Sequence, residues 1–388
     1  MMKRRTIRAR DGILRATHSD RIERYLGSER AASLSAQFRD WYGPPVHLAD
    51  VPGSVRIAAG GDFVGPIGGG QFLSGVELHL HRLRYMARRL RRMPLSPALA
   101  GAGFASVSDA LARASGGFEQ LLNGTIQKTG PTGVSAVASS LWRVGAMPAA
   151  GSTPSAAPGG RAPDKSTTGA MAFNNPAVGT LRLTGGQMSA SVINNALMLY
   201  DRIFDVTKTM NSSSTEAVTG VPTRYQSSTA TDEDYAGGNF LFPEVGGTAL
   251  AATAHNHTVV QYRDEAGNDA QTLPSIAGVS GAIVDRFDLG ANAWFMPLAS
   301  GDAGIKDLAQ LQVSAAVATG VLNYVIGHPI AVMAFPIIPI LLPFNWLTGQ
   351  RLAPRIFADA CLALIELPKP ATTATSYSGI LNAVSTSS

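Results

Sequence analysis

Residues 311–346 read LQVSAAVATGVLNYVIGHPIAVMAFPIIPILLPFNW, and residues 355–367 read RIFADACLALIEL. Together they lie in the apolar run from Gly301 to Pro368, the part of the chain poorest in charge for its length. Such a run is either the core of a large domain or a membrane segment. A spanning helix needs about 20 predominantly apolar residues, and His328 to Trp346 approaches that length. Pro329, Pro336, Pro339 and Pro343 fall inside it, however. Each interior proline removes a backbone donor and clashes with the preceding turn, at a cost of roughly 3 kcal/mol or more. The run is therefore expected to be extended and buried. Alternation fits a strand, with Leu322, Tyr324 and Ile326 on one face and Val321, Asn323 and Val325 on the other. Proline-spaced apolar residues are awkward inside a sheet. Hence PIIPILLPFNW is expected to form a loop that packs on a neighbouring subunit through Ile337, Ile338, Leu341 and Leu342.

The chain has 388 residues, 45% hydrophobic and 15% charged. That length can bury a sizeable core in two or three domains. Charge is well under the usual ~25%, which goes with surface covered by partners. Cys361 is the only cysteine, so no intrachain disulfide or multi-cysteine metal site can form. It reads as a buried small hydrophobe. The basic start MMKRRTIRAR has no apolar stretch behind it, so a secretory signal is not expected and assembly in a reducing cytoplasm is. Residues 1–100 hold 17 Lys+Arg against 8 Asp+Glu, whereas the whole chain holds 32 against 27. The positive charge is thus concentrated at the front, as for a face that meets nucleic acid or an acidic partner.

In chain order, residues 1–16 form a basic arm and residues 17–145 a mixed, partly helical region. A helix is expected from Asp20 to Tyr42, with Asp20 and Glu23 at capping-box spacing. GGDFVGPIGGG (60–70) lacks the spacing of a phosphate-binding loop and reads as a glycine turn. The most basic stretch, VELHLHRLRYMARRLRRM, carries Arg82, Arg84, Arg88, Arg89, Arg91 and Arg92 around an apolar stripe. Such a surface contacts phosphates or acidic protein, or is simply solvated. A short helix is expected over Ser108–Leu122 and a strand in ASSLWRVG. Residues 146–171 are Ala, Gly, Ser, Thr and Pro with almost no large apolar side chain, which reads as a linker or extended arm. From Ala172 onward, short apolar runs bounded by Gly, Asn, Asp and Pro read as strands. The expected fold class is mainly β with a mixed α/β N-terminal region, and residues 172–388 form a β-sandwich, jelly-roll-like. Asn211–Thr229 reads as a polar excursion toward a neighbouring subunit.

No motif supplies a reaction: there is no nucleophile elbow and no HExxH. The expectation is a protein that is not an enzyme and holds no cofactor. His255-Asn256-His257 puts two imidazoles on one face of a strand, but no carboxylate or third histidine is near in sequence. A surface or partly buried structural role is the default reading there, and His79 and His81 likewise have no third ligand nearby. Asp232-Glu233-Asp234 lacks the glycine and spacing of a calcium loop. Asp285 and Asp288 in DRFD are a carboxylate pair of no particular specificity.

TLRLTGGQ, LYDRIFDVTKTMNSSSTEAVTGVPTRYQSST, NFLFPEVGGTALAATAHNHTV and GIKDLAQLQVSAAVATGVLNYVIGHPIA resemble virion structural proteins of tailed bacteriophages. So does RIFADACLALIELPKPATTATSYSG; the resemblance covers about residues 170–388 and carries no site residue. It implies a head component, shell or cement, located in the virion. The implied partners are other copies of the chain and other virion proteins, with DNA contact open to the basic N-terminal region and no membrane. A neck or tail component remains an alternative, as does a tail-spike-like glycan-binding or glycan-cleaving β protein.

Overall fold

The structure, a computed structural model, describes residues 66–67, 71–72, 104 and 107–386, except 133–135, 348–352 and 370–372. The basic arm, the helix expected after Asp20, and the Arg82, Arg84, Arg88, Arg89, Arg91 and Arg92 group lie outside the described residues. Pro66–Ile67 and Gln71–Phe72 pair antiparallel. Everything from 104 onward belongs to one unit, Leu95–Ser388.

That unit is mainly β, and its sheets are antiparallel. Eight principal strands carry it: β1 Leu181–Ala190, β2 Asn195–Thr209, β3 Phe240–Val245, β4 Asn256–Asp264, β5 Ile305–Val313, β6 Val321–Phe335, β7 Leu362–Glu366 and β8 Ser376–Ser385. The central sheet runs in the order Ser139–Ser140, β7, β2, β6, β3. A second sheet is built on β4 and β5, with short strands Gln271–Thr272 and Glu216–Ala217 outside them. A third is built on β1 and β8, flanked by Leu342–Asn345 and Glu119–Leu121.

The central antiparallel pair of β2 and β6 explains the apolar run. Its register extends from Val321 opposite Thr209 to Phe335 opposite Asn195. Both faces are buried, so the strands read as continuous apolar sequence rather than clean alternation. One core cluster joins Met198, Tyr200, Tyr324 and Phe242 of the central sheet to Tyr262 and Leu308 of the second. Another joins Leu197, Leu199, Phe335 and Leu364 to Leu183 and Leu381 of the third. Successive residues of β2 thus serve different cores, as the period of two requires.

The prolines and glycines of the run sit where a strand tolerates them. Pro329 lies at a register shift, and Pro243 lies in β3, the edge strand. A Cβ on Gly327 would stand 2.6 Å from the Tyr200 ring and 2.8 Å from Phe240. Among the described residues, no helix is long and apolar enough to cross a membrane.

Four expectations change. The helix after Ser108 is short: α1 spans Val107–Arg113, Gly117 turns at φ 86°, and Glu119–Leu121 pairs with β8. Sheet pairing overrides local propensity there. Residues 146–171 are not a free linker. Ala156 bridges Thr207, Arg161 bridges Asp205, and the Trp142 indole N–H donates to the Ser152 carbonyl at 3.0 Å. The segment buries little of itself but covers β2 with backbone hydrogen bonds. Likewise Asn211–Thr229 packs on its own chain: Glu216–Ala217 pairs with β5, and Arg224 is buried against Asp201. Finally, PIIPILLPFNW divides. Ile337 and Leu341 are exposed (50% and 53%), Ile338 is half-buried, and Leu342 starts a strand paired with β1 and packed on the second cluster.

Candidate metal centre

The HxH pair lies at the start of β4. His257 belongs to the strand and His255 directly precedes it, so the two side chains share a face. The third member, Asp288, comes from the 284–289 loop. That loop is laced to the central sheet: the Asp288 N–H donates to the Pro243 carbonyl at 2.8 Å, and Phe287 N–H to Ala138 at 3.0 Å. The Phe287 ring stacks on Phe242 with centroids 4.3 Å apart. Asp288 is thereby carried inward between the second and central sheets, where all three side chains are fully buried.

His255 Nε2 lies 2.8 Å from Asp288 Oδ2, and His257 Nε2 lies 3.2 Å from the same oxygen. The remaining polar atoms have outside partners. His255 Nδ1 faces the Thr253 carbonyl at 3.1 Å, and His257 Nδ1 faces the Tyr324 hydroxyl at 2.8 Å. Asp288 Oδ1 accepts the Val279 N–H at 2.6 Å. Burial alone would raise the Asp288 pKa, but hydrogen bonds from His255 and His257 and their charges hold it well below the carboxylate range. Burial disfavours the His255 cation, yet the Asp288 contact raises its pKa. Burial pushes the Tyr324 phenol far up. The His255 ring packs directly on Gly278: a Cβ there would stand 2.2 Å from His255 Nε2.

Two imidazole nitrogens and one carboxylate oxygen, all within 4.8 Å of one another, form a donor set for a first-row divalent cation. No family model and no curated protein matches this chain. The site therefore rests on its own geometry. Sequence reading stopped at HxH because the carboxylate is 31 positions beyond His257. The signal was present in DRFD, whose second acid completes the cluster.

Asp285, the other acid of DRFD, goes elsewhere. It adopts φ 69°, and its Oδ1 has no hydrogen-bond partner among the described residues. Burial raises its pKa to about 6, and Glu244 adds to the rise while Arg143 and Lys128 oppose it. The folded pKa exceeds the unfolded one, so the folded state holds this proton more tightly. Stability from this group is present at low pH and falls as pH rises from about 4 to about 6. Asp285→Asn keeps the left-handed backbone accessible and removes the charge. It is expected to raise stability by about 1 kcal/mol at pH 7.5, after discounting for solvent access and for the lost attraction to Lys128. Urea unfolding at pH 7.5 and pH 3.5 checks this, with the gain absent at the lower pH.

The other sequence-level candidates resolve into structural roles. Asp232 accepts the Ser227 hydroxyl at 2.5 Å, and Glu233 pairs with Arg182 and, at 3.1 Å, with Arg355. Cys361 is buried beside Asp201, and burial pushes its thiol well up, away from reactivity. A shallow groove lined by Val218, Tyr262, Arg263, Asp269 and Asp307 holds two carboxylates, both facing Arg263 at 2.7 and 3.6 Å.

Proposed function

We propose that this chain is a structural component of a tailed-phage virion, in the head as shell or cement protein. In this reading the Leu95–Ser388 unit is a jelly-roll-like β-sandwich that acts through subunit contacts. The resemblance of residues 170–388 to virion proteins supports it. The observation that carries it is the end of the β2–β6 pair where Phe335 lies opposite Asn195. There Val332, Ala334 and Pro336 alternate outward while Ala331, Met333 and Phe335 fill the core. Ile337, Ile340 and Leu341 continue that uncovered apolar surface at 50%, 53% and 53% exposure. Contiguous exposed apolar side chains mark interaction sites, and another copy of the chain is the partner a shell requires. The basic N-terminal stretch, with Arg88, Arg89, Arg91 and Arg92, would face DNA or an acidic partner.

Two measurements test this. Mass spectrometry of purified particles is expected to find the chain, and its copy number relative to the shell protein separates head from neck or tail. The double substitution Ile340→Asp, Leu341→Asp is expected to lower particle yield at least tenfold while the isolated chain keeps its stability within about 0.5 kcal/mol. Absence of the chain from particles, or normal yield from a folded double variant, would overturn the reading.

A further inference from the structure

We infer that His255, His257 and Asp288 form a structural binding site for a divalent first-row cation, with zinc as the fitting member. The inference does not depend on the virion reading. It stands on how the three side chains are held. His255 Nδ1 faces only a carbonyl, which accepts, so that nitrogen carries hydrogen and Nε2 is the atom left to bind. Nδ1 of His257 is engaged by the Tyr324 hydroxyl at 2.8 Å, a partner able to donate or accept that fixes the ring's orientation. Asp288 has one oxygen occupied by a backbone N–H and turns the other to both imidazoles. Each ligand is thus oriented by a partner behind it, and both imidazoles turn Nε2 toward one carboxylate oxygen, Asp288 Oδ2, where a cation would take the place of the hydrogen-bonded protons. Outer partners of this kind characterise metal ligands.

The spacing agrees. A tetrahedral zinc ion with bonds of ~2.0–2.1 Å places its ligand atoms about 3.3 Å apart. The two nitrogens stand 2.8 and 3.2 Å from Asp288 Oδ2. The three atoms all lie within 4.8 Å of one another, and side-chain rotations that bring the two nitrogens to about 3.3 Å apart would seat the ion. The Asp288 backbone carbonyl, 3.1 Å from His257 Nε2, lies on the same side and offers a further oxygen. Gly278 keeps side-chain atoms away from His255 Nε2. The site ties β4 to the 284–289 loop and, through Tyr324, sits against β6. Its role is a clamp between two sheets, since full burial leaves no access for a substrate.

The test uses the full chain, purified without chelator and then exchanged into Co²⁺ or Zn²⁺. Expected are about one equivalent of metal retained through gel filtration, visible d–d absorption of the cobalt form, and a melting temperature raised by several degrees and lowered again by EDTA. Folded Asp288→Asn and His257→Gln variants are expected to lose that equivalent. If either variant fails to fold, the stoichiometry and cobalt spectrum of the unmodified chain decide. No retained metal and no thermal shift at tenfold excess would overturn the inference. So would undiminished binding by folded Asp288→Asn, which would locate the ion elsewhere.

Discussion

Arg202→Met is expected to destabilise the protein by about 3–5 kcal/mol, the cost of breaking a fully buried ion pair from one side. Arg202 lies in the middle of β2 and is wholly buried. Its Nε donates to Asp205 at 2.7 Å, and its Nη2 donates to Glu244 at 2.8 Å. Burial works against the guanidinium charge, but Glu244 and Asp205 hold its pKa well above the ordinary value. The two acids have unequal reserves. Asp205 keeps a bidentate partner in Arg161, at 2.7 and 3.0 Å. Among the described residues, Glu244 keeps only the Asn323 amide, at 3.1 Å. Most of the loss should therefore come from stranding Glu244. It follows that Arg202→Met, Glu244→Gln is expected to be about 1–2 kcal/mol more stable than Arg202→Met alone, a coupling that independent sites would not show. Urea unfolding of the two singles and the double measures it. Additive losses would show that the acids find water or other donors once Arg202 is gone.

The same network marks where sequence reading reaches its limit. The β character of residues 172–388 was legible, because short apolar runs between Gly, Pro, Asn and Asp leave strands as the economical solution. So was the extended course of 321–335, since residues 321–326 alternate as in a strand and Pro329 and Pro336 disfavour a helix. LYDRIFDVTK was harder. Asp201, Arg202, Asp205 and Lys208 are residue types that are seldom fully buried, yet all four are buried. Their partners, Arg224, Glu244, Arg161 and Glu216, come from other segments. Pairing across such distances has no local period. The metal-type cluster hid for the same reason: HxH is local, but Asp288 meets it only through the fold. Residues 146–171 were misjudged differently. Their composition does predict that the segment cannot build a core. It did not predict that glycine and proline would let the backbone lie flat on a core built by others.

Trp142→Ala tests that last point and is expected to cost about 3–5 kcal/mol, as large aromatic truncations in cores do. The ring is buried at 1% exposure beneath the Arg202 guanidinium, 4.9 Å from its centroid. Its other side is closed by glycine. A Cβ on Gly151 would stand 2.1 Å from the indole, and Gly169, at φ 101°, would put one 2.2 Å from the Gly151 Cα. Only residues without side chains let the 146–171 segment fold over this ring. Truncation therefore does two things: it opens a cavity beside Arg202, and it leaves the Ser152 carbonyl without the indole N–H. Trp142→Phe separates them. It keeps most of the aromatic face and loses the donor, so about 1–2 kcal/mol is expected. The two substitutions should also differ in where the protein opens. If the segment is held by the ring, amide exchange over 150–170 accelerates strongly in the alanine variant and modestly in the phenylalanine variant, while β1 and β8 keep their protection. Exchange that rises equally across all strands would instead mean that Trp142 stabilises the whole core and that the segment is anchored by Arg161 and its bridge to Asp205.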